Sequence, residues 1–397
     1  MAPLPHGLLL LPRPGENTTG SLRRKVRLLA IRDLLGLGTP WSAALEATLR
    51  TASAQTLASV GAPDVLPSLL AARSGLVSLP EALSRAVPNL LCSLHAAGVR
   101  PPEPILYEGP VAHLAGLGAR SVHLERPGRA VLLDAAGLSV ELADGAHVDV
   151  EQLPSLPSSH PLPGTGVALC LDDTNPLSHL EDHPDKAGNA VDLGGHSLDE
   201  WTRELGKAFD VIKSGLPHWF DELPQSLCRL LPVGYEPERH LSASYGDAPG
   251  IAYLTLHPSG LTLAEAVVHE TQHGKLNLLL WLDEVLENGR TDWATSPVRP
   301  DLRPLMGVLL AVHAFIPVAA LHARLLAAGH PLAAGPSFER RRTEVLSGNE
   351  GGLAVLRTKA RPTRVGARLL EALEALHAAT LTGVPALPEA TRALPPG

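Results

Sequence analysis

The chain has 397 residues, with 33 basic and 41 acidic side chains, so its net charge at neutral pH is −8. This balance argues against non-specific nucleic-acid binding, which depends on neutralising phosphates. The length allows two domains or one large domain with a sizeable core. Aromatic residues make up only 3% of the chain, so Leu and Ala are expected to fill most of that core.

Cysteine usage and hydropathy predict a cytoplasmic protein. Cys92, Cys170 and Cys228 are far apart and form no CxxC pair, as expected of free thiols in a reducing compartment. The apolar run Leu8–Leu11 is too short for a signal peptide and is followed by Pro12. No stretch of about 20 residues is apolar without being interrupted by a charged residue or a proline, so no membrane span is expected.

The first part of the chain is predicted to be helical. Apolar residues from Leu28 to Leu35 follow helical spacing, and prolines divide the later Leu- and Ala-rich segments up to residue 100. We assign residues 1–117 to this helical N-terminal region. Two basic clusters, Arg23–Arg27 and Arg340–Arg342, are interpreted as solvated helix faces.

The hydrophobic period changes to two between residues 118 and 150. Alternating segments separated by glycine-containing turns predict a small antiparallel β meander, and a Pro/Ser-rich loop follows it, so the second region is residues 118–165. Residues 166–397 are predicted to form a third, mainly helical region, with an edge strand at Ile251–Leu256. The predicted fold class is therefore α+β and predominantly helical.

The clearest chemical signal is an HExxH motif formed by His269, Glu270 and His273. Residues four apart lie on one face of a helix, so both imidazoles can reach one metal ion. Glu270 could then polarise a bound water as a general base. We expect the helix to begin at Thr262, with Glu265 completing a capping box, and to end at Asn288-Gly289.

The spacing within the HExxH motif does not identify the third metal ligand. A metzincin extension is absent, because Leu276 and Leu279 stand where its Gly and His belong. Glu284 returns to the same helical face but lies about 16 Å further along an unbroken helix. His313 is a polar residue in the apolar segment Met306–Phe315, and we predict it as the third ligand.

Two other segments contain candidate residues for the metal site. His183-Pro184-Asp185 has the HxD spacing of two-His-one-carboxylate iron sites but is interpreted as a polar loop. The proline-rich segment before His313 presents Arg299 and Arg303. Because a guanidinium binds carboxylates in a bidentate manner, one of these arginines is expected to have a role in the site.

From about Val167 onward the chain resembles the HExxH-motif peptide-modification proteins, a family encoded beside the precursors of ribosomally made, modified peptides. The helix Arg23–Leu35 is also similar to the family. The stretches that carry the resemblance are Leu171–Pro176, Ser242–Gly250, Ala264–Leu276, Arg299–Gly307 and His313–Phe315.

The resemblance implies an iron(II)- and 2-oxoglutarate-dependent β-hydroxylase acting on a side chain of a precursor peptide. His269, His273 and His313 would hold Fe(II), an arrangement that departs from the usual two-His-one-carboxylate site. Arg303, or second Arg299, would bind the distal carboxylate of 2-oxoglutarate, and Glu270 would orient a ligand or substrate.

Two alternatives stay open at this point. A zinc metallopeptidase would use Zn(II) and Glu270 as the general base on a peptide substrate. A non-catalytic partner protein would bind the precursor peptide and keep the motif only as part of its structure.

Overall fold

The computed structural model describes residues 10–12, 14–51, 53, 63–180, 182–183, 186–295 and 302–382, with only the backbone described at 182–183 and 186–187. Within these ranges it has ten helices, and 51% of the described residues are helical against 19% in strands. This confirms the predicted α+β, predominantly helical fold. The three cysteines are free thiols.

Four helices form the N-terminal part of the described chain. Thr39 and Ser78 cap the second and fourth by accepting hydrogen bonds from the backbone N–H groups of Ser42 and Glu81. The first helix joins two hydrophobic cores, because Val26 packs in the larger core and Leu34 in the smaller. The four are α1 (Thr18–Leu35), α2 (Pro40–Arg50), α3 (Leu66–Arg73) and α4 (Leu79–Ala96).

The predicted meander is present, but it begins at Ile105 rather than at 118. Residues 105–117 were assigned to the helical N-terminal region, but they form the first strand of the meander. The first residues of this strand alternate between buried and exposed, which is the pattern of a strand with one covered face. The antiparallel order is β1-β2-β3-β4, and β5 also pairs with β2. The strands are β1 (Ile105–Leu117), β2 (Arg120–Leu133), β3 (Leu138–Glu141), β4 (His147–Asp149) and β5 (Leu156–Pro157).

A second sheet contains both parallel and antiparallel strands. Its order is β11-β12-β10-β7-β6, with β12, β10 and β7 parallel and the outer pairs antiparallel. The strand predicted at the edge, β12, is therefore internal, and all six of its residues are buried. Its strands are β6 (Ser159–Pro161), β7 (Ala168–Cys170), β10 (Arg229–Tyr235), β11 (Ser242–Ala243) and β12 (Ile251–Leu256); β8 (Asp182–His183) and β9 (Lys186–Ala187) form a separate pair.

Six helices complete the described chain. The HExxH helix, α7, follows β12 directly and packs against α1, α5, α6 and α8. A short hairpin of β13 (Trp293–Thr295) and β14 (Leu302–Pro304) precedes α8. The six helices are α5 (Leu198–Gly215), α6 (Pro217–Ser226), α7 (Gly260–Leu280), α8 (Leu305–Ala327), α9 (Pro336–Lys359) and α10 (Arg364–Leu381).

Both predicted ends of the HExxH helix are wrong. The helix begins at Gly260, where the Ser259 side chain accepts a hydrogen bond from the Thr262 N–H, and it ends at Leu280. Glu265 does not take part in a capping box, since it is bonded to other helices. Asn288 instead donates to the Lys359 carbonyl oxygen and accepts from the Arg361 N–H, so its side chain fastens a loop rather than ending α7.

By length and apolar composition alone, α8 could cross a membrane. Its most hydrophobic stretch, however, is 72% buried inside the protein. Burial on most sides accounts for this composition, since a helix in the interior of a protein is apolar all round.

A buried ion pair fixes α7 against α6 and α1. Lys275 Nζ donates to Glu222 Oε2 at 2.5 Å, and the Lys275 side chain is 0% exposed. The other carboxylate oxygen of Glu222 accepts from the hydroxyl of Thr19 at 2.7 Å. The Lys275 ammonium also lies 5.2 Å from the centre of the Trp219 ring. Three helices therefore meet at one neutralised pair of charges.

We expect Lys275→Ala to lower the free energy of unfolding by about 3–5 kcal/mol, because Glu222 would be left charged and buried. Urea unfolding followed by circular dichroism measures this. The matched control is Lys207→Ala, which removes a 59% exposed lysine paired with Glu204 and should change stability by about 0–1 kcal/mol. Equal effects of the two substitutions would contradict the prediction.

Candidate metal centre

The HExxH helix brings its two histidines together as predicted. His269 Nε2 and His273 Nε2 are 2.9 Å apart, and the ring planes are almost perpendicular at 87°. Two imidazoles bound to one ion at about 2.1 Å and roughly a right angle would have their nitrogens about 3 Å apart. The pair is thus spaced as two ligands of a single metal ion.

Both imidazoles are held in the neutral form that binds metals. Burial, and then the neighbouring His273, lower the pKa of His269 well below its usual value, and burial also lowers the pKa of His273. The Nδ1 atoms of both rings are buried and have no hydrogen-bond partner among the described residues. Both residues are nevertheless only partly buried as a whole.

Glu270 is held by two serines: Ser242, the first residue of the short strand β11, and Ser244, the residue that follows this strand. Ser242 Oγ donates to Oε1 and Ser244 Oγ donates to Oε2, each at 2.6 Å. The glutamate is only 4% exposed. Its carboxylate is consequently tied to the sheet, and it positions β11 beside the two imidazoles.

Glu265 lies one turn before His269 and clamps α7 to two other helices. It accepts hydrogen bonds from His322 Nε2 on α8 and from Arg341 Nε on α9, both at 2.8 Å. Burial raises the pKa of Glu265, but His322 and Arg341 outweigh it, and the net shift is downward. Arg341, interpreted from the sequence as part of a solvated face, is therefore engaged in an ion pair.

The other basic cluster is also less solvated than predicted. Arg23 Nη1 donates to Cys228 Sγ at 2.6 Å. Burial, followed by repulsion from Arg23 and Arg24, lowers the pKa of Arg27 to about 10. Arg23 and Arg27 are therefore partly buried, whereas Arg24 and Lys25 stay exposed as predicted.

The structure does not place His313 with the HExxH pair. The ring that contacts His269 is Phe315, with centroids 4.5 Å apart. On α8 the side chain of His313 lies about 200° around the helix from that of Phe315. Accordingly, His269, His273 and His313 do not form a group of described residues whose ligand atoms lie within 4.8 Å. His313 is fully buried on α8, and its role as third ligand stays a prediction.

The remaining predicted site residues fall as follows. Arg303 is partly buried on β14. Arg299 lies outside the described residues, as do the side chains of His183-Pro184-Asp185. Because α7 ends at Leu280, the distance argument against Glu284 no longer applies, but the Glu284 side chain is exposed and belongs to no three-ligand group among the described residues.

Sequence reasoning missed a third imidazole in this region, that of His240. Its Nε2 atom is buried without a hydrogen-bond partner among the described residues. Burial, followed by the nearby His257, lowers the pKa of His240 to about 4, while Glu270 acts in the opposite direction. His240 also contributes to the lowered pKa of His269. No spacing rule connects it to HExxH, since it lies 29 residues before His269 and approaches only through the sheet.

Comparisons with known proteins add no family to this description: no family model matches the chain, and no curated protein matches it.

We expect His240→Ala to weaken metal binding more than His313→Ala. Neither residue forms a three-ligand group with the HExxH pair among the described residues, but His240 is electrostatically coupled to His269 and Glu270, whereas His313 lies on the opposite side of α8 from Phe315, which contacts His269. Competition titration of Zn(II) against a chromophoric chelator measures both affinities. A greater loss with His313→Ala would support His313 as the third ligand.

The metal-free protein should become less stable as the pH falls from about 6.5 towards 4. Unfolded histidines take up protons near pH 6.5, whereas His240 stays neutral in the folded protein down to about pH 4. The unfolded state then binds more protons, so acid favours it. Calorimetric Tm values measured with a chelator present should fall across this range and fall less in His240→Leu. An identical pH dependence in the two proteins would count against this assignment.

Proposed function

We propose that the protein is an iron(II)- and 2-oxoglutarate-dependent hydroxylase of a side chain in a ribosomally synthesised precursor peptide. The observation that carries the proposal is the pair of neutral imidazoles, His269 and His273, whose Nε2 atoms converge at 2.9 Å. The resemblance to the HExxH-motif peptide-modification proteins supplies the reaction class. A cytoplasmic location belongs to the same proposal.

The residues suit a transition-metal ion. The site offers imidazole nitrogens, which favour iron, zinc, copper and nickel over magnesium or calcium. His269 and His273 would hold the ion, with His313 as the third ligand predicted from the sequence and His240 as a further imidazole that is electrostatically coupled to His269. When bound, iron(II) would let O₂ act as the oxidant, with one oxygen atom going to the C–H bond and the other to 2-oxoglutarate, which is converted to succinate and CO₂.

The protein's own residues are proposed to bind 2-oxoglutarate and to hold the imidazoles in place. Arg303, with Arg299 as the second choice, is proposed to bind the distal carboxylate of 2-oxoglutarate through its guanidinium. Glu265 holds α7 rigidly against α8 and α9, which keeps the imidazoles at a constant separation. The ring of Phe315 packs against that of His269, with centroids 4.5 Å apart, and is proposed to help hold it in place.

The contacts of Glu270 support a positioning role for this residue. A peptidase uses this glutamate to take a proton from water. Here both carboxylate oxygens already accept hydrogen bonds from Ser242 and Ser244. Glu270 is therefore proposed as a positioning residue, and the zinc metallopeptidase is the alternative that the experiment must exclude.

An extended precursor peptide can be placed beside the site. Strand β11 is at one end of the five-stranded sheet and is directly joined to Glu270 through Ser242. A peptide adding to this edge by backbone hydrogen bonds would pass next to the two imidazoles. This is the proposed route by which a side chain reaches the metal.

The test combines the protein with the precursor peptide encoded beside its gene, Fe(II), 2-oxoglutarate and O₂. Mass spectrometry should show a gain of one oxygen atom on the peptide, equal in amount to the succinate formed, and neither should occur with His269→Ala. Cleavage of the peptide with Zn(II) alone would overturn the proposal in favour of a peptidase.

Arg303→Ala should raise the Kd for 2-oxoglutarate about 10-fold or more, because a charge-assisted hydrogen bond contributes about 1.5–3 kcal/mol. The matched control is Arg290→Ala, which removes an exposed arginine from the same connecting segment. Anaerobic titration of the Fe(II) protein, followed by its visible absorption, gives both constants. If both variants bind 2-oxoglutarate like the wild type, Arg299 takes the role.

A further inference from the structure

A second group of possible metal ligands lies on the meander, far along the chain from the HExxH motif. It consists of His113 on β1, His123 on β2 and Asp172, which follows β7. His113 Nε2 is 2.7 Å from Asp172 Oδ2, and His123 Nε2 is 3.4 Å from Asp172 Oδ1. Among the described residues this is the one group of three whose ligand atoms all lie within 4.8 Å.

Strand pairing brings the two imidazoles together. His113 and His123 are direct cross-strand partners in the antiparallel pair β1–β2. Their rings are stacked, with centroids 4.3 Å apart and planes inclined by 17°. Register irregularities lie on either side of this pair along β1, and such bulges re-aim side chains. Both Nε2 atoms consequently point towards the same carboxylate.

The carboxylate comes from the other sheet and is held firmly. The next residue, Asp173, accepts a hydrogen bond from the hydroxyl of Tyr253 at 2.9 Å. Thr174 donates to the carbonyl oxygen of Pro63 at 3.1 Å. These two hydrogen bonds hold the residues that follow Asp172, and the Asp172 side chain is only 13% exposed.

The separations allow the three side chains to share one ion. Ligand atoms at about 2.1 Å from an ion and at right angles lie about 3 Å apart, and the observed N–O separations are 2.7 Å from His113 to Oδ2 and 3.4 Å from His123 to Oδ1 of Asp172. Two imidazoles and a carboxylate select iron, cobalt, nickel or zinc rather than magnesium or calcium. The His123 side chain is 55% exposed, so the remaining positions face solvent.

We propose that His113, His123 and Asp172 bind a divalent first-row transition-metal ion that joins the β1–β2 ribbon to the segment after β7. This site is independent of the HExxH helix in its residues. Without metal, the His113–Asp172 contact is an ordinary ion pair, and the proposal requires that the ion displace that direct bond.

The test counts Co(II) ions bound to the metal-free full-length protein by equilibrium dialysis and by visible absorption. The wild type should bind two ions. The double variant His269→Ala/His273→Ala should retain one, and adding His123→Ala to it should weaken the remaining binding at least about 10-fold, because a direct ligand contributes no less than an outer-shell partner. Asp172→Asn should have a similar effect.

His218→Ala is the matched control, since it removes a 45% exposed imidazole that lies 3.7 Å from a carboxylate, that of Asp221. It should leave the Co(II) count unchanged. The proposal is overturned if the double variant binds no Co(II), or if His123→Ala and Asp172→Asn both bind like His218→Ala. Failure of the HExxH site would appear differently, as a wild type that binds one ion and loses it with His123→Ala alone.

Discussion

The structure is organised by the burial of a helix that carries charged and polar side chains. Glu265, Glu270, Gln272 and Lys275 on α7 are all 6% exposed or less, and each would be costly to bury without a partner. Each has one: Glu265 has His322 and Arg341, Glu270 has two serines, Gln272 has Trp219 and Lys275 has Glu222. These bonds determine where α1, α6, α8, α9 and the sheet lie around the HExxH helix.

The same constraint shapes the proposed metal site. Because Glu265 and His269 are four residues apart, they lie on one face of α7, and α8 meets that face with His322 and Phe315. These two residues are seven apart and share a face of α8 for the same reason. The ion pair of Glu265 with His322 therefore decides which face of α8 contacts α7. His313 lies on a different face of α8.

The segment after β7 connects the two halves of the molecule. Asp172 faces the imidazoles of the meander, whereas Asp173 binds the hydroxyl of Tyr253 on β12, the strand that leads into α7. A single dipeptide thus joins the β1–β2 ribbon to the strand that positions the HExxH helix. If both proposed sites hold metal, the two are linked through this short and well-fastened stretch.

The sequence alone determined the features that depend on neighbours along the chain. The fold class, the alternating strands of the meander and the one-turn spacing of His269 and His273 all follow from local periodicity. Only the tertiary structure decided which residues contact each other across elements. It places Phe315 rather than His313 beside His269, and it couples His240 to His269. It also puts β12 inside its sheet and brings His113, His123 and Asp172 together. These meetings depend on strand register and helix rotation, which are set by packing and by the pairing of buried charges rather than by spacing in the chain.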